Sequence, residues 1–228
     1  MGSDRQGAAI GVVVGLVAEA RIARRLGYAV EIGGGTAEGA ASAAERLAAS
    51  GVSALVSFGL AGGLDPKLRP GTVIIPSAAW LDGRLVHTDP GLSDRLGGAT
   101  GHVLLGANEI ASMASGKAAQ RALSGADAID LETGGLARVA EARGLPFAAL
   151  RVICDPAQRD LPPAALAALT PAGGIALFRV LGALALHPAQ IPVMVALARD
   201  AATARRALVR HVRSIARREP STQDERGE

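Results

Sequence analysis

The chain has 228 residues, with 24 Lys and Arg against 21 Asp and Glu, a formal net charge of +3 and one cysteine. That length supports one substantial core, the single cysteine excludes an intramolecular disulfide framework, and no zinc-finger spacing or aromatic RNA-binding signature points to nucleic acid. Hydrophobic residues make up 49% but aromatics only 2%, so Ala, Val, Leu and Ile must build the core, a mix that suits helices on a buried sheet.

The first apolar run, AAIGVVVGL at 8–16, has strand length, and AEARIARRLG after it reads as a helix closing on Gly27. The run lacks the charged region and cleavage pattern of a signal peptide, so the cytoplasm is the expected compartment. Gly33, Gly34, Gly35 and Gly39 follow. Their spacing is not G-x-G-x-x-G and no strong strand precedes them, so they read as a turn before the Ala-rich helix TAEGAASAAERLAAS. Gly51 stops that helix and VSALVSFGL is the next buried strand. This βαβ rhythm implies a mainly parallel sheet.

Further strands are expected from Gly71 to Ala79, at VLLGA near 103 and at PFAALRVICD over 146–155, with TGGLARVAEARG as the helix before the last of them. The fold class is therefore α/β, with a ligand site at the carboxyl ends of strands. One domain is expected over 1–218, in which 161–218 forms an apolar, then arginine-rich helical part divided by Pro188 and Pro192. The polar stretch 219–228 reads as a disordered tail. The apolar run before His187 and Pro188 is too short for a membrane span and contains Arg179. Residues 199–218 carry seven arginines against the single acid Asp200, which reads either as a solvated helix face or as a surface for an anionic membrane.

Four histidines without ligand spacing give no foothold for a metal, and there is no G-x-S-x-G nucleophile elbow. Three other segments carry chemistry. SFGLAGGLDPKLRPGTVIIP at 57–76 puts a small-residue loop at a strand end, where a flat ligand can approach the backbone. IDLETGGLARVAEARGLPF at 129–147 sets Asp130 and Glu132 at a helix start, as caps or as functional carboxylates. LRVICDPAQ at 150–158 ends a buried strand on Asp155, a position that suits a turn residue or an acid.

In this order and at these separations, LAGGL, L-E and R-V-I-C-D resemble the motifs (S/T)AGGL, M-E and R-x-(I/V)-S-D of the purine nucleoside phosphorylase and methylthioadenosine/adenosylhomocysteine nucleosidase superfamily. Within it, GLVAEARIARRLG, VSFGLAGGLDPKLRPG and the stretch from LPPAAL to IPVMVALARDA resemble the hopanoid-associated phosphorylases, which release adenine from adenosylhopane. The resemblance implies a three-layer α/β/α fold around a mixed, mainly parallel sheet. It also implies a homo-oligomer, expected as a dimer, with no cofactor besides inorganic phosphate as a co-substrate; the arginine-rich terminus adds the inner membrane surface as an expected peripheral site beside the cytoplasm.

By that resemblance Asp155 faces N7 of the base, Glu132 holds the ribose hydroxyls with Leu131 against the sugar, and Ala61 and Gly62 lie beside sugar and base. Glu19 corresponds to a water-activating glutamate, and Arg21 is the nearest candidate for an anion. Leu60 and Cys154 depart from the pattern where relatives carry hydroxyls. The chemistry suits these residues, because N-glycosidic cleavage leaves positive character on ribose and negative charge on the purine. Arg21, with Arg24 and Arg25, tips the expected nucleophile toward phosphate, with water close behind. A soluble nucleoside such as methylthioadenosine is the alternative substrate, and an inactive nucleoside-binding module the alternative function.

Overall fold

A computed structural model describes residues 9–162 and 190–218. In chain order the elements are β1 (Ile10–Val14), α1 (Val17–Ala23), β2 (Ala29–Ile32), α2 (Ala37–Ala49), β3 (Ala54–Gly63), β4 (Val73–Ile74), β5 (Ala78–Leu81), β6 (Arg84–His87), α3 (Pro90–Arg95), β7 (Val103–Gly106), α4 (Ala114–Ser124), β8 (Ala128–Asp130), α5 (Thr133–Arg143), β9 (Phe147–Asp155) and α6 (Ile191–Ala216). They form one nine-stranded sheet in which β2-β1-β3-β8-β7-β5-β6 are successive neighbours, while β9 pairs with β3 and β4. The β1–β2, β1–β3, β3–β9, β5–β7 and β7–β8 pairs are parallel; β3–β8, β4–β9 and β5–β6 are antiparallel. The sheet is mixed and mostly parallel, flanked by helices, as the sequence implies.

Alternation along β1 assigns the layers. Val12 and Val14 pack with α1 and with Ala204, Ala207, Leu208 and Val212 of α6, while Val13 packs with the buried alanines of α2 and with Leu136 and Ala140 of α5. Small side chains do this work because the sequence offers few aromatics, and they let helices lie close to strands. Local signals set the ends. The Thr36 hydroxyl accepts from Gly39 N at 3.1 Å to start α2. Gly27 and Gly144 close the helices before them in the left-handed conformation.

Three expectations need correction. β3 runs on through the glycines to Gly63, so the small-residue segment is strand, not loop. The stretch from Gly71 to Ala79 is two strands, interrupted at Pro76, which has no N–H to donate to a ladder. Pro192 sits in the first turn of α6 and does not divide it, because the missing N–H there would have no helical partner anyway. Pro188, most of the apolar C-terminal stretch and the tail from 219 lie outside the described residues. Among the described residues no helix is long and apolar enough to cross a membrane.

Candidate active site

Two clusters of buried charge lie along β9, one at its middle on Arg151 and one at its carboxyl end on Asp155, joined by residues 59–62 of β3. The first surrounds Arg151, which is wholly buried. Its guanidinium contacts the Asp130 carboxylate, pairs with Glu132 Oε2 at 2.8 Å, and donates to Ser57 Oγ at 2.6 Å and to the Leu60 carbonyl at 3.4 Å. Glu19, from the first turn of α1, accepts from Leu16 N at 2.9 Å and from Leu60 N at 3.0 Å. Three carboxylates therefore share one arginine.

Such a cluster cannot be fully ionised at no cost. Burial pushes Glu19 above the usual carboxylate range, against the opposing pull of Arg151 and the backbone donors. Burial likewise raises Glu132 to about 7, with Arg151 pulling down and Glu19 and Asp130 adding repulsion. Glycine makes room for these groups. A Cβ at Gly59 would lie 2.7 Å from Glu19 Oε1 and 2.8 Å from an Arg151 nitrogen, and this residue has φ +152. A Cβ at Gly15 would lie 1.9 Å from Glu132 Oε1.

The cap expected of Asp130 or Glu132 is supplied by Asp130 alone. Its carboxylate accepts from Thr133 N at 3.2 Å and from the Thr133 hydroxyl at 2.6 Å. Glu132 occupies the N-cap position of α5 but makes no side-chain cap bond and turns to Arg151 instead.

The second cluster is built on Asp155, whose Oδ2 contacts Lys117 Nζ from α4. Lys117 is 1% exposed and also donates to the carbonyls of Pro156 at 3.1 Å and Arg159 at 2.9 Å. Burial raises Asp155 while Lys117 pulls it down. Asp155 Oδ1 is buried without a hydrogen-bond partner among the described residues. Beside it, burial raises the Cys154 thiol to about 12, which leaves it protonated and inert at neutral pH.

The structure brings together Glu19 and Glu132 around one arginine and places Asp155 at the end of the same strand. Gly62 pairs with Asp155 across a bulge, Ala61 is buried next to it, and Leu131 is half-buried beside Glu132. Arg21 is not brought in. It is exposed on α1, and two residues along a helix from buried Glu19 it projects from a nearly opposite side. Arg24 and Arg25 are exposed as well. The buried cations of the two clusters are Arg151, which in the sequence stands only as the opening of R-V-I-C-D, and Lys117, which carried no sequence signal at all.

Residues 14–123, just under half of the chain, match the family described as the Phosphorylase superfamily. Three solved structures show the same fold. A Helicobacter pylori 5′-methylthioadenosine/S-adenosylhomocysteine nucleosidase complexed with an aminopyrrolopyrimidine-bearing pyrrolidinol has a TM-score of 0.63 at 15% identity, over 92% of this chain and 100% of that one. The corresponding nucleosidase from Colwellia psychrerythraea, in complex with adenine, gives 0.61 at 16% identity over 76% and 94%. Native futalosine hydrolase of Helicobacter pylori gives 0.56 at 15% identity over 64% and 87%. No curated protein matches the chain.

Proposed function

We propose that this chain, which carries the phosphorylase-superfamily segment over residues 14–123, is an enzyme that cleaves the N-glycosidic bond of an adenine nucleoside with water as the nucleophile. The observation that carries this reading is the buried acid cluster on Arg151 beside Asp155 at the end of β9. Glu19 and Glu132 would supply the negative charge that an electron-poor sugar needs, and Asp155 is read as the acid that the departing base meets. The structural relatives include nucleosidases bound to adenine or to an aminopyrrolopyrimidine compound.

The charge balance favours water over phosphate. Three carboxylates with one guanidinium leave this pocket net negative unless protons enter it, and an incoming phosphate would meet repulsion that Arg151, already shared, does not offset. Glu19 suits a general base: backbone amides fix both its oxygens, and its raised pKa brings it nearer to neutral pH. Glu132, raised to about 7, would be drawn down by ribose hydroxyls donating to it, so that its charge is stabilised when the sugar arrives.

For the substrate we favour an adenine nucleoside with a lipid at its 5′ position, adenosylhopane by the sequence resemblance. The first turns of α6 expose Ile191, Val193 and Val195, and the same helix then presents exposed arginines from Arg199 to Arg217. An apolar stretch next to a basic one suits a lipid chain leaving an anionic surface. Incubation with adenosylhopane and with methylthioadenosine, with and without phosphate, tests both points. Adenine release that is unchanged without phosphate and yields a free ribosyl product is expected. Release that requires phosphate and yields a ribosyl phosphate would make the enzyme a phosphorylase.

A further inference from the structure

A single acid at the base-leaving position would need to hold a proton before the bond breaks, and the surroundings of Asp155 assign that proton elsewhere. Lys117 Nζ has three acceptors: Asp155 Oδ2, the Pro156 carbonyl and the Arg159 carbonyl. Three donated hydrogen bonds require the ammonium form, and an ammonium against Oδ2 favours the carboxylate form of Asp155 in the free enzyme. The contact is deliberately housed. The loop after β9 clasps α4, with Asp160 Oδ1 accepting from Ala114 N at 2.7 Å and Leu161 N donating to the Ser112 carbonyl at 2.7 Å. Lys117 is the buried residue of that helix. Meanwhile Asp155 Oδ1 is buried with no hydrogen-bond partner among the described residues, which leaves that oxygen to the base.

We propose that Lys117 and Asp155 form one proton-donating pair, in which the Lys117 ammonium stores the proton that the departing purine takes. This rests on the glycosidic reading above. When the bond from the base to C1′ breaks, its electron pair stays on the base. One proton moves from Lys117 Nζ to Asp155 and one from Asp155 to the base. The base leaves neutral, Asp155 is again a carboxylate, Lys117 is a neutral amine, and the positive charge is on the sugar until water, deprotonated by Glu19, adds to C1′. Lys117 acts through Asp155 and is a positioning residue that also stocks the proton. The other charged or titratable groups facing Asp155 are Arg159 on the following loop, Asp200 of α6, which is paired with Arg159, and the neighbouring Cys154 thiol.

The pH profile distinguishes this pair from an ordinary acid with a supporting lysine, because an ammonium keeps its proton to higher pH than a carboxyl does. Methylthioadenosine turnover is measured from pH 5 to 10 for the wild type, Lys117→Met and Lys117→Arg, with melting temperature and adenine binding as folding controls. In Lys117→Met the alkaline limb of kcat/KM is expected to move down by about two pH units, since only Asp155 itself can then hold the proton. Lys117→Arg keeps charge and donors but does not release a proton; kcat is expected to fall about 100-fold at pH 8 with KM little changed. A limb that moves up or stays in place in Lys117→Met, or a Lys117→Arg enzyme with wild-type kcat, overturns the pair. The carboxyl signal of Asp155, read by infrared difference against Asp155→Asn, gives a second measurement independent of turnover. A carboxylate at pH 7 in the wild type and a protonated acid in Lys117→Met are expected, and a protonated acid in the wild type overturns the proposal. A wild type that releases no adenine from any nucleoside instead overturns the functional reading, and the donor role with it.

Discussion

Asp155 and Glu132 are both buried carboxylates, yet their free oxygens meet different surroundings. One oxygen of Asp155 has no hydrogen-bond partner among the described residues, so it is the one left to meet the base. Asp155→Asn removes the proton carrier while keeping the volume, and turnover is expected to drop about 10²- to 10⁴-fold with the melting temperature held within a few degrees. Rates near wild type in a folded variant would take Asp155 out of the reaction. Glu132 Oε1 instead lies against Gly15, where a Cβ would come within 1.9 Å. Gly15→Ala should push that carboxylate off its position on Arg151 and slow base release about 10²-fold, the scale for misplacing a group by about 1 Å. Full activity in Gly15→Ala would mean that the position of Glu132 does not matter. Both acids were legible in the sequence because a carboxylate in an apolar run is conspicuous. Arg151 was hidden for the opposite reason: cations usually read as solvent-facing, and nothing local announces that Asp130 and Glu132 will fold onto it. Lys117 was less visible still, in a helix whose other residues are small, half-buried or exposed.

At the scale of elements, the turn where β8 hands over to α5 concentrates the electrostatic cost. Glu132 there has a pKa raised from an ordinary 4.5 to about 7. A raised acid binds protons more tightly in the folded chain than in the unfolded one, so stability is greatest below the unfolded value and is lost as pH rises through the folded one. Urea unfolding should therefore show stability falling by about 3 kcal/mol between pH 4.5 and 7, with Glu19 acting in the same direction. Glu132→Gln should flatten most of that slope and lower kcat, since the amide carries no charge for the sugar. An unchanged slope would place the ionisation elsewhere. The elements with clear caps or long apolar runs, α2, α5, β1 and β9, could be read from the chain. The short strands β2, β6 and β8 could not, because three or four residues give too little alternation to stand out, and their identity comes from the neighbours they pair with. The glycines of β3 misled for a related reason. They suggest a loop locally, but β9 pairs with them through Gly62 and holds them in the sheet.

For the molecule as a whole, α6 has two roles along its length. Its later turns bury Ala204, Leu208, Val212 and Ile215 against the sheet, while its first turns leave Val193 exposed and Leu197 half-buried. Replacing Val193 and Leu197 with Ser should therefore impair adenosylhopane turnover at least tenfold more than methylthioadenosine turnover, a gap that loss of about 1.4 kcal/mol of selective apolar contact would produce. Equal losses on the two substrates would assign these residues to packing. The buried arginine has a further consequence for how the chain is made. Glu19 belongs to the first helix and Arg151 to the last strand of the sheet, so the acids emerge during synthesis well before the cation that stabilises them. Until β9 slots in beside β3, the nascent chain holds unmatched carboxylates and an open strand edge, and closing contacts so distant in sequence is slow. Assembly of the buried charge cluster and completion of the sheet are thus one late event, and a nascent chain that stops short of β9 has neither.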